Sequence, residues 1–150
     1  MEANRYELFH FRARSGGDFG PATTGDWSAR PPRVEKFNYE FDTWPVDPLL
    51  EALNTFIVTD PLRERLMEAH ASGIAFGDVE LTKSGIFLDM NGDRPLPAFS
   101  WLKITGRAGI DDFGLSSSGH LIVSERMMNL LNTFGLKYCD VSEYDPERNP

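Results

Sequence analysis

The chain has 150 residues, 41% hydrophobic and 25% charged, enough for one domain with a buried core and no need of staples. Its single cysteine, Cys139, excludes an intramolecular disulfide and suits a reducing compartment. The net charge of −8 is uneven: six basic side chains face five acidic ones up to Lys36, then nine face eighteen, which argues against direct binding to nucleic acid.

Met1 to Phe11 carries no apolar run after its charges and is not expected to be a signal peptide. Tyr6 to Arg14 alternates loosely and predicts a first strand. Ser15 to Pro32, rich in Gly, Pro, Ser and Thr, reads as a long loop. Phe37, Tyr39 and Phe41 alternate with Asn38, Glu40 and Asp42, which places three aromatics on one face of a strand and the polar residues on the other. Asp47-Pro48 is read as the start of a short helix burying Leu49, Leu50 and Leu53. Phe56-Ile57-Val58 is an apolar strand. Thr59-Asp60-Pro61 then opens a helix with Leu62, Leu66 and Ala69 in one stripe and Gly73 as its stop.

Ile74 to Leu81, Ile86 to Leu88 and Phe99 to Ile104 read as strands, with an Asn91-Gly92 turn before the last. Leu121-Ile122-Val123 is another. Ser124 is expected to cap a helix burying Met127, Leu130, Leu131 and Phe134, ended by Gly135. Tyr138 to Tyr144 forms a final strand, and 145–150 is a polar, frayed tail. No run reaches the roughly 18 apolar residues of a membrane helix, so the expectation is a cytoplasmic protein with no membrane contact. The fold class predicted is α+β: a single domain over 1–150, with a mixed sheet of about five to seven strands and two or three helices packed on it.

Two units look alike. Phe56 to Thr59 leads into a helix, Gly73 and Asp78-Val79-Glu80; Leu121 to Ser124 leads into a helix, Gly135 and Asp140-Val141-Ser142. The second is three residues shorter between cap and last strand. An internal strand-helix-strand repeat and a chance likeness both remain open.

The motifs for catalysis are near-misses. Gly114 to Gly119 (GLSSSG) is one residue too long for a nucleophile elbow, and Asp89 to Asp93 lacks the glycine position and closing glutamate of a calcium loop. Gly106 to Gly109 has the spacing of neither a phosphate loop nor a dinucleotide fingerprint. His10, His70 and His120 stand apart, so no metal and no cofactor are expected. Cys139 reads as a packed small hydrophobe, and Trp101 with Phe99 as core. Asp111-Asp112 repel each other unless solvated or facing a cation. The plainer reading is a solvated loop; the functional one is an acidic hook for a basic partner, or half of an acid/base site.

Phe99 to Lys103, Asp111 to Gly114, Leu121 to Arg126 and Cys139 to Val141 together resemble a bacterial immunity-protein family of polymorphic toxin systems, immunity family eleven. The likeness covers 56–144, a repeat region, and is only general over the N-terminal strands and loop of 1–55. It implies no catalysis, and a partner that is a cognate toxin effector domain, bound and neutralised. The acidic body suits a basic toxin, with Asp111 and Asp112 as first contacts and Glu40 and Asp42 as second. The alternatives are a small enzyme with a site assembled from Asp111, Asp112, His120 and Tyr144, or an adaptor binding a peptide at a sheet edge.

Overall fold

The computed structural model describes residues 8–12 (backbone alone), 16–29, 32–136 and 139–144. The ends of the first predicted strand at 6–7 and 13–14, Ser15, Tyr138 and the tail 145–150 lie outside the described residues.

In chain order the strands and helices are β1 (Leu8–Arg12), β2 (Gly17–Phe19), β3 (Thr24–Asp26), β4 (Arg33–Lys36), β5 (Asn38–Phe41), β6 (Leu49–Ala52), β7 (Thr55–Thr59), α1 (Asp60–Glu68), β8 (Ile74–Gly77), β9 (Glu80–Lys83), α2 (Gly85–Asn91), β10 (Phe99–Ile104), β11 (Phe113–Leu115), β12 (Leu121–Ser124), α3 (Glu125–Thr133) and β13 (Asp140–Glu143). The chain is an α+β single domain, but its strands do not join one sheet. They form two antiparallel four-stranded sheets, ordered β6-β7-β10-β8 and β11-β12-β1-β13, a three-stranded mixed sheet β2-β5-β9, and the hairpin β3-β4.

The two larger sheets have one topology. In each, an outer strand makes a hairpin with the strand that feeds the helix, and the strand after the helix returns two places away (β7-α1-β8 and β12-α3-β13). The gap is filled by an antiparallel strand from elsewhere: β10 in the first sheet, β1 in the second. Thr59 to Ala75 and Ser124 to Asp140 span equal lengths between equivalent pairing positions, opposite Phe99 and Lys103 in one sheet and Leu8 and Arg12 in the other. The repeat is real, and the unequal units inferred from the glycines are corrected: Ala75-Phe76, not Asp78-Val79, corresponds to Asp140-Val141. Taken in sequence, β1-β6-β7-α1-β8 and β10-β11-β12-α3-β13 are the two units, and each sheet borrows its inner strand from the other unit.

The core follows from this pairing. Val58, Phe56, Leu49 and Leu102 of one sheet meet Phe113, Leu121 and Val123 of the other, with Leu62 and Leu66 of α1 and Met127, Leu130 and Leu131 of α3 filling the same cluster. The opposite face of the first sheet, with Leu50, Ile57 and Phe99, is covered by Phe37, Tyr39 and Phe41 together with Phe87 of α2. The cover comes from two insertions, 16–44 and 79–96, which join through the parallel pair β5-β9. With both faces covered, β7 reads as a continuous apolar run and not an alternation.

Several local expectations are overturned. Leu49 to Ala52 is a strand, not a helix: Leu53 and Asn54 adopt φ of 44° and 63°, a tight turn that hairpins β6 onto β7. Ile86 to Leu88 is helical, because Ser84 caps α2 by accepting from the Phe87 amide at 3.2 Å. Ile74 to Leu81 is cut into β8 and β9, in different sheets. The long loop holds β2 and β3, strands too short to carry a periodic signal. α1 ends at Glu68 with Ala69 as its cap and His70 turning the chain at φ of 52°, not at Gly73. Gly73 instead allows a crossing of chains: a Cβ there would lie 2.2 Å from the Phe113 carbonyl oxygen and 3.0 Å from the Gly106 Cα. The cap of α3 is as expected, Ser124 accepting from the Met127 amide.

Candidate functional site: an acidic sheet face

Pairing in the three-stranded sheet decides which side chains share a face. Phe19, Tyr39 and Leu81 stand in register and turn inward; Asp18, Glu40 and Thr82 form the next row and turn outward, with Asn38 and Glu80 beside them. The row is held by hydrogen bonds. Thr82 Oγ1 donates to Glu40 Oε1 at 3.3 Å, and Asn38 Nδ2 donates to Thr82 Oγ1 at 3.1 Å and to the Glu80 carbonyl at 3.1 Å. Asn38 lies on the polar face, as its alternation indicates, yet it is fully buried. The turn around Ala22 and Thr23 folds over it, and its Oδ1 accepts from the Ala22 amide.

Asp18 and Glu80 are exposed and Glu40 and Asp42 are half-buried. Asp18 sits directly across from Glu40 in an antiparallel pair. Like charges so placed destabilise a sheet. Among the described residues no three carboxylate, histidine or cysteine groups converge as metal ligands would. The face is a spread of negative charge.

Glu40 thus belongs to an acidic face, to which sequence reasoning could not add Asp18 and Glu80, while Asp42 lies just past the end of β5 in a bend. Asp18 lies in a segment read as loop, and Glu80 becomes a neighbour only through the β5-β9 pairing. The other predicted pair divides. Asp111 is half-buried, and its Oδ2 accepts from the Arg107 amide at 2.8 Å, closing a short loop. Asp112 is not a surface hook: it is 6% exposed, and its carboxylate is taken up internally. It accepts from the Ser72 amide at 3.0 Å, the Ser124 hydroxyl at 2.8 Å and the Arg126 guanidinium at 2.6 Å. The turn closed by Asp111 onto Arg107 precedes β11, and Asp112, between the two, turns inward.

Arg126 also donates to the Ala69 carbonyl at 2.8 Å, so it joins the start of α3 to the end of α1. Burial alone would raise the Asp112 carboxyl; Arg126, the Ser72 amide and Ser124 outweigh it and hold the group below its ordinary 3.8. Cys139 is pushed the other way, by burial and then by Asp47, which disfavours a reactive thiolate.

Among the described residues no helix is long and apolar enough to cross a membrane. No protein-family model matches this chain, and no curated protein matches it.

Proposed function

We propose that the chain is an immunity protein that neutralises a basic toxin effector domain by docking the acidic face of the β2-β5-β9 sheet onto it. The observation that carries the reading is Asp18 set against Glu40 in register, with Glu80 on the same side. Such a row costs stability in the free protein and returns it when a cationic surface arrives. A body with eighteen acids to nine bases after Lys36 adds a long-range field that speeds encounter with a basic partner. The resemblance of 56–144 to immunity family eleven supports the same class.

The test pairs two measurements on the variant Asp18→Asn with Glu40→Gln. The free variant should melt at the same denaturant concentration as wild type or a higher one, by about 0.2–1 kcal/mol, since a repulsion is removed. Its association with the toxin domain encoded beside its gene should slow by about tenfold at low salt and lose most of its salt dependence. Wild-type protein that neither binds that domain nor rescues cells expressing it would sink the reading. Unchanged kinetics in the variant would move the interface off this sheet.

A further inference from the structure

A cleft of about 370 Å³ lies where β7 begins and β10 ends, under β4. Arg33, Lys103, Asn54 and Trp101 line it, with apolar walls from Val34 and Leu115. We propose that this cleft binds a small organic anion whose carboxylate sits beside a planar apolar group, the chemistry of an aryl acid or of a chain-terminal aromatic residue. The proposal is independent of the toxin reading, which concerns another face.

The charge in the cleft runs against that of the chain. The protein carries −8 overall, yet two cations and one acid, Glu35, line this cleft. Across the β3-β4 hairpin Arg33 faces Asp26, whose Oδ1 accepts from the Ser28 hydroxyl at 2.6 Å and the Ser28 amide at 3.0 Å and whose charge Arg33 also feels. Lys103 is held in place. Its ammonium lies 4.6 Å from the Trp101 ring centroid, and its stem crosses Gly77, where a Cβ would come within 2.7 Å of the Lys103 Cε. Trp101 is fixed from behind by Phe37, edge-on at 5.5 Å, so the indole is a rigid wall.

A carboxylate between the Arg33 fork and the Lys103 ammonium would make charge-assisted hydrogen bonds, and the planar group would lie along Trp101 and Leu115. The volume is near the lower end of small-molecule sites and too small for a folded element of a partner.

The experiment is an amide-resolved NMR titration of the full chain with N-acetyl-tryptophan, N-acetyl-tryptophanamide and a tetrapeptide ending in a free tryptophan carboxylate. The acid should give saturable shifts at the Trp101 indole, Asn54 and Lys103, and the neutral amide should bind at least about tenfold more weakly. A tetrapeptide that binds as well as the free acid assigns the site to chain termini; one that is excluded assigns it to small acids. Lys103→Met, Arg33→Gln and Gly77→Ala should each weaken the acid, the last by pushing the ammonium off Trp101 without removing it. Equal binding of acid and amide, shifts that map elsewhere, or no shift at millimolar ligand would overturn the proposal. The acid-amide comparison needs no variant, so it stands even where a substitution unfolds the protein.

Discussion

At the scale of single residues, the most consequential side chain is the one whose sequence context misleads. Asp112 is read beside Asp111 as half of an exposed pair, whereas it is a buried acceptor for Ser72, Ser124 and Arg126. Arg126→Ala should cost about 1.5–3 kcal/mol at neutral pH, by stripping a buried carboxylate of its cation and the Ala69 carbonyl of its donor. The pH dependence follows from the direction of the shift. The folded Asp112 carboxyl lies below its ordinary 3.8, so its ionised form stabilises the fold above about pH 4, and that contribution fades as the pH falls through the lowered folded value. In urea melts, the gap between wild type and Asp112→Asn should be constant near neutrality and close in acid. A gap that persists undiminished at about pH 2 would mean that the lost stability is not electrostatic.

At the scale of elements, legibility depended on whether the deciding contacts were local. The α3 stripe, its Ser124 cap and the 37–41 alternation are properties of a few neighbouring residues, and they were readable. Leu49 to Ala52 was not, because three leucines near an Asp-Pro suit a helix as well as a strand; pairing with β7 decides it. The same limit applies to the acidic face: Glu40 announces itself by period, while Asp18 and Glu80 join it only across strands. The hairpin turn that settles β6 is itself under strain, since a left-handed turn favours Asn-Gly over Leu-Asn. Replacing Leu53 by Gly should therefore raise stability by about 1 kcal/mol. A denaturant midpoint that falls instead would show that the exposed leucine contributes packing not evident from its 63% exposure.

At the scale of the whole molecule, the organising fact is the reciprocal loan of inner strands between two equal units. Neither unit can complete a sheet: the first lacks β10 and the second lacks β1. A chain cut between Gly92 and Asp93 should give two halves that show no cooperative melt alone and recover a single transition, with the circular dichroism of the intact protein, when mixed. A half that melts cooperatively by itself would refute this account. The loan also orders events in time. On a ribosome β1 is made well before its two neighbours, β12 and β13. Until then β1 has two open edges and no native strand to pair with, and chaperones or non-native strands can compete for it. The second sheet therefore closes only once β13 has been made. The earliest moment at which this sheet can close is then set by the time to translate the stretch between β1 and β13.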